Sequence, residues 1–253
     1  MTNRPAPPDP WSALRALTSA RIGLARTGAS LATAPLLDLR LAEARARDAV
    51  HEPLDAARLA NELAALGDPA LTVASAAHDR QSYLMRPDLG RRLAPGADAV
   101  LAPHAGSHDV ALVVADGLSA RAVQIHATPL LAGVLPTLRA QGWRVAPIVI
   151  ARHGRVAIGD AIAAALGAAC VAVLIGERPG LSAPDSMGAY LTWRPGPHAT
   201  DADRNCISNI RPEGIGYAEA AQKVIHLLRA MRTRGLSGVQ LKDEADGTVI
   251  EQS

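Results

Sequence analysis

The stretch VALVVADGLSARAVQIHATPLLAGVLPTLRAQG, Val110 to Gly142, decides the fold class of this chain. Its first part, Val110 to Asp116, is apolar at nearly every position, as expected of a strand buried on both faces. After the Asp116-Gly117 turn signal, Leu130, Val134 and Leu138 keep helical spacing in spite of Pro129 and Pro136. The same alternation recurs downstream. VAPIVIA (Val145 to Ala151) reads as a strand, AIGDAIAAALG as a helix and CVAVLIGE (Cys170 to Glu177) as a third strand. GAYLTWRPG offers a fourth strand. YAEAAQKVIHLLRAMRTRG offers a last helix with Ala221, Val224, Leu228 and Met231 aligned and Gly235 as its stop. Apolar strands alternating with helices specify an α/β fold, Rossmann-like, with a mostly parallel sheet covered on both faces.

Upstream the pattern changes. LDAARLANELAAL sets Leu59, Leu63 and Leu66 on one helical face, and APLLDLRLAEARARDAV is rich in helix formers without internal Pro or Gly. Pro87, Gly90, Pro95 and Gly96 then punctuate the chain. The organisation expected is a flexible Pro-rich start over residues 1–10, a small helical domain over 11–97 and the α/β domain over 98–253.

Composition narrows the function. The 253 residues are 49% hydrophobic, enough for a substantial core, but only 2% aromatic with no Phe. That composition argues against an aromatic stacking surface for single-stranded nucleic acid, and a net charge of +2 gives no basis for a polyanion partner. Cys170 and Cys206 are too few for a disulfide framework or a four-thiolate metal site, which suits a reducing cytoplasm. MTNRPAPPDP lacks the features of a secretory signal, and no run has the apolar length of a membrane span.

Ligands of open α/β sheets sit beyond the carboxyl ends of the strands. Here those tips are Asp116 to Ser119, Ala151 to Val156, Glu177 to Gly180 and the region around Cys206. Neither a phosphate-binding P-loop nor a glycine-rich dinucleotide fingerprint follows a strand, and Gly-x-Ser-x-Gly is absent. His104, His108 and Asp109 would have metal-ligand spacing on a helix, but Pro and Gly around them indicate a loop. Glu177 ends a hydrophobic strand, a position that favours accepting hydrogen bonds from a ligand's amides, against a salt bridge to Arg178 or Arg155 or a helix cap. Cys206, flanked by Arg204 and Arg211, is either a nucleophile or a packing residue. The residues by themselves thus leave open a stand-alone α/β module binding a nucleotide-like small molecule, and a hydrolase using Ser119 or Cys206 with a distant histidine.

Several long motifs add a resemblance. LTSARIGLARTG (Leu17 to Gly28), VVADGLSARAVQ, RVAIGDAI, VLIGERPGLSAPDSMGAY and above all DADRNCISNIRPEG (Asp201 to Gly214) are similar, in order, to the small subunit of ethanolamine ammonia-lyase. The ten Pro-rich residues before Trp11 stand where some members carry a longer segment. The resemblance implies a subunit of an adenosylcobalamin-dependent lyase that converts ethanolamine to acetaldehyde and ammonia by radical chemistry. It further implies a large partner subunit holding the substrate, a hetero-oligomer with six copies of each subunit, and work in the cytoplasm or inside a bacterial microcompartment. Family cofactor contacts carry over to Val156, Glu177 and Cys206, with no catalytic residue in this chain. Cys206 becomes a small contact against the corrin. No Asp-x-His-x-x-Gly is present, so the resemblance implies a base-on cofactor, with its own dimethylbenzimidazole on cobalt.

Overall fold

The computed structural model describes residues 9–67 and 70–241, so the first eight residues of the expected flexible start lie outside it. The helix α1 (Ser12–Arg15) precedes a short hairpin, β1 (Arg26–Thr27) with β2 (Ser30–Leu31). Then come α2 (Thr33–His51), α3 (Ala56–Ala64), β3 (Leu71–Ala74), α4 (Arg80–Met85) and α5 (Ala97–Leu101). The remainder is β4 (His108–Ala115), α6 (Ala120–Ala140), β5 (Val149–Arg152), α7 (Ile158–Leu166), β6 (Ala168–Gly176), β7 (Met187–Trp193), β8 (Arg204–Ile210) and α8 (Tyr217–Arg234).

Six strands form one mixed sheet in the order β3-β5-β4-β6-β7-β8. The pairs β3/β5, β5/β4 and β4/β6 are parallel, whereas β6/β7 and β7/β8 are antiparallel. Two features depart from the sequence reading. The edge strand β3 comes from the segment expected to be helical, because LTVA is too short and too mixed to register as an apolar run. The second is β8, which contains Cys206 where a loop was expected.

The α/β class and the helices on both faces agree with the sequence. Along β4, Val110, Leu112 and Val114 pack on one side with α6, α8 and α3, while Ala111, Val113 and Ala115 pack on the other with α7 and α5. That division is the two-residue period of a strand buried on both faces. Helix α6 runs through Pro129 and Pro136. Each costs a helix interior about 3 kcal/mol, and the burial of Val123, Leu130, Leu131, Val134 and Leu138 offsets it. Ser119 caps α6, its Oγ accepting from Ala122 N at 3.3 Å, and Gly235 ends α8 at φ 69°.

The edge strand β8 is held differently. Ile207 and Ile210 face the α6–α8 core, but they are three residues apart opposite Ala189 and Met187, which are two apart. The extra residue makes a bulge, with Asn209 at φ 58°. At the other end, the Arg204 guanidinium donates to both oxygens of Asp160 on α7, at 2.8 and 2.6 Å, with its side chain only 3% exposed. The outer edge of β8 is occupied at both ends. Asn205 Nδ2 donates to the carbonyls of Gly238 and Leu241, Gly238 N donates to Asn205 Oδ1, and Ile215 N donates to the carbonyl of Asn209. No helix among the described residues is long and apolar enough to cross a membrane.

Candidate functional site

The tips of the central strands are locked together by backbone contacts. Asp116, buried at the end of β4, accepts from His153 N at 2.9 Å and Gly154 N at 3.0 Å, which fixes the loop after β5. Burial raises its carboxyl pKa, and those donors work against the shift. Gly117 has φ 57°, and a Cβ there would lie 2.3 Å from the carbonyl oxygen of Gly176. A Cβ on Gly176 would lie 2.0 Å from the carbonyl oxygen of Ser119. Only glycines allow the turn after β4 to close on the end of β6. Ser119 is fully buried. Its hydroxyl caps α6 and donates to the carbonyl of Pro184 at 3.2 Å, so it has no access to a substrate.

Beside this joint lies a cleft of about 400 Å³ lined by Val156, Glu177, Arg155, Tyr83 and Tyr190, among others. Val156 arrives on the loop between β5 and α7, and Glu177 immediately follows β6. Cys206 stands opposite Tyr190 in the β7/β8 register. The three residues expected from sequence therefore converge, Val156 and Glu177 in the cleft and Cys206 at its Tyr190 wall. Tyr190, Cys206 and Ser208 share one face of the sheet, and both β8 residues are exposed.

Glu177 does neither of the structural tasks weighed for it. Its Oε2 accepts from Asn209 N at 3.1 Å, taking the amide that the bulge removes from the ladder. Oε1 makes no hydrogen bond among the described residues and sits 3.0 Å from where a Cβ on Gly188 would be, so Gly188 is the space the carboxylate needs. Cys206 is solvent-accessible, yet its neighbours desolvate it enough to raise the thiol pKa, a shift that its hydrogen bond with Tyr190 opposes and the Glu177 charge reinforces. A thiol held neutral is a poor nucleophile. Cys170 is buried, with its thiol pushed up to about 12 by desolvation and donating to the carbonyl of Asp109.

One part of the site was not read from sequence. Tyr83, from α4, is 0% exposed, with the Arg80 guanidinium 4.8 Å and the Arg155 guanidinium 4.3 Å from its ring centroid. Burial pushes its phenol up to about 12. Tyr83 Oη, Arg155 Nε and Arg80 Nη2 are buried without hydrogen-bond partners among the described residues. The available signal was rarity: Tyr83 is one of three tyrosines in a chain without Phe.

The remaining candidates lie elsewhere. His108 Nε2 is 3.0 Å from the carbonyl oxygen of His104, and Asp109 is engaged by Arg144 at 2.8 and 2.9 Å. Among the described residues no group of three or more His, Cys, Asp or Glu side chains is arranged to hold a metal ion. A larger cavity, about 580 Å³, lies between α7 and the 196–201 segment and is lined by the Asp160–Arg204 pair.

Comparison with known proteins gives a consistent result. The family model described as Ethanolamine ammonia-lyase light chain matches residues 8–242. A protein of Ralstonia nicotianae named "Ethanolamine ammonia-lyase small subunit" is 54% identical over 247 residues, covering 96% of this chain and 92% of the relative. A protein of the same name from Azotobacter vinelandii is 55% identical over 246 residues, covering 96% and 91%. Another, from Pseudomonas fluorescens, is 51% identical over 249 residues, covering 97% and 90%. Identity at this level, across almost the whole of both chains, leaves one conclusion: the chain belongs to the ethanolamine ammonia-lyase light chain family.

Proposed function

We propose that this chain is the small subunit of an ethanolamine ammonia-lyase and that it covers one side of an adenosylcobalamin held against the large, substrate-binding subunit. The observation that carries the reading is the match, over 96% of the chain, to relatives named as that subunit. The site supports the cofactor assignment. A corrin presents neutral amides around its rim and an apolar edge. Glu177 Oε1, which makes no hydrogen bond among the described residues, is an acceptor free for such an amide. The exposed face of Tyr190 and Cys206 beside Val156 offers contact area for a broad, flat group. An open cleft of about 400 Å³ cannot enclose a corrin, which fits a group shared between two chains.

Adenosylcobalamin supplies, when bound, a cobalt–carbon bond that breaks to give a carbon radical able to abstract hydrogen from the substrate. The residues of this chain bind and orient. Val156 and Cys206 give close packing, Glu177 accepts an amide proton, and the locked Gly117–Gly176 joint keeps their spacing. No proton transfer to substrate is assigned to them. On this reading the cofactor would be bound base-on, with no cobalt ligand from this chain, in an assembly with six copies of each subunit.

The experiment that tests this reading co-purifies the chain with a matching large subunit, adds adenosylcobalamin and assays acetaldehyde from ethanolamine with each component omitted in turn. Activity only in the complete mixture is expected. Failure to form a complex would return the stand-alone binding module.

A further inference from the structure

Two arginines of the α/β region have opposite surroundings. Arg204 is buried against Asp160 in a bidentate pair. Arg155 is half-buried, yet it forms no ion pair among the described residues. Its Nη2 donates to the carbonyl of Tyr83 at 3.2 Å, and its Nε is buried without a partner. The buried carboxylate of Asp116 is taken by the His153 and Gly154 amides. Stacking on Tyr83 and a hydrogen bond from its own backbone amide to the carbonyl of Gly90, at 2.7 Å, fix where the guanidinium sits. Withdrawing a cation from water without a counter-ion is unfavourable, and this one lines the cleft beside Val156 and Glu177. The other cleft cation, Arg178, is exposed and therefore screened.

The chemistry of the ligand offers one matching group. A base-on cobalamin has neutral amides around the ring and a single anionic group on its periphery, the phosphodiester of the nucleotide tail. We propose that Arg155, positioned by its stack on Tyr83, binds that phosphodiester and so makes this subunit selective for a cofactor with a complete nucleotide tail. The proposal rests on the cobalamin reading above. Planar bidentate donation to phosphate is what a guanidinium does better than an ammonium.

The test uses the assembled complex of both subunits and two probes, hydroxocobalamin and cobinamide, which keeps the corrin and its amides but lacks the nucleotide and its phosphodiester. Dissociation constants are read from visible absorbance for the unmodified complex, for Arg155→Met, which keeps the packing stem, and for Arg155→Lys, which keeps the charge. Arg155→Met is expected to weaken hydroxocobalamin about tenfold or more while cobinamide changes by less than about twofold. Arg155→Lys is expected to lie between. Equal weakening of both probes would make Arg155 a structural residue and overturn the proposal. So would no change in either, or identical behaviour of the Met and Lys variants. If the unmodified complex binds neither probe, the cobalamin reading itself fails, an outcome distinct from the others.

Discussion

Strands β6 and β8 run in the same direction two places apart in one sheet, and they are stabilised in different ways. In β6, Cys170 to Gly176 are buried without interruption between helices on both faces. In β8, Ile207 and Ile210 pack on one side only, while Cys206 and Ser208 are exposed on the other. What holds β8 is a charged pair at one end and a carboxylate on its bulge at the other. Side chains sealed on both faces serve stability. A strand sealed on one face has side chains to spare for a ligand, and its position depends on polar bonds.

Three substitutions test how deep that difference goes. Leu174→Ala, inside β6, is expected to cost about 2–5 kcal/mol through lost burial and a residual cavity. Thermal unfolding should show it as a drop of roughly 2–4 °C per kcal/mol. A drop near zero would mean that β6 is no more sealed than β8. Glu177→Ala, at the join of the two regions, removes the acceptor of the Asn209 amide and the free Oε1 together. The expected result is about 1–2 kcal/mol of stability and a weaker hold on cobalamin by about tenfold, read by denaturation and by absorbance titration. Unchanged cobalamin binding would separate the bulge from the site. Cys206→Ser, on the open face, is expected to change stability by no more than about 0.5 kcal/mol and to leave most of the lyase activity in the assembled enzyme. Complete loss of activity with cofactor still bound would restore the nucleophile reading.

Cys206 also carries a pH expectation. Desolvation favours its neutral thiol over the thiolate. Alkylation of the isolated chain by iodoacetamide, followed by mass spectrometry, should therefore be slower than for a free thiol at pH 8 and should keep rising above pH 9. Cys170, buried and raised to about 12, should stay unmodified while the chain is folded.

The sealed strands were legible because every position in them answers to the same demand. Val110 to Ala115 and Cys170 to Ile175 had to be apolar throughout, and the alternation with α6 and α7 followed. Glu177 was legible for the converse reason, a charge where burial would exclude it. The conformation of β8 was not. The extra residue at Asn209 breaks the two-residue period, and an open face removes half of the hydrophobic pattern. Tyr83 escaped because its partner Arg155 lies 72 positions away in sequence, and the pairing exists only after the chain has folded. The strand tips that line the candidate cleft could be read from sequence, but its Tyr83 wall could not.

The engaged ends of the outer edge of β8 have a consequence for how such chains meet. An edge strand with free amides and carbonyls invites a strand from another molecule, the first step of fibre growth. Here a side-chain amide, Asn205, and the backbone of Ile215 take up both ends of that edge. Another copy approaching in the plane of the sheet finds both ends of the ladder already engaged. The same bonds hold the strand so that the face carrying Cys206 and Ser208 stays turned outward.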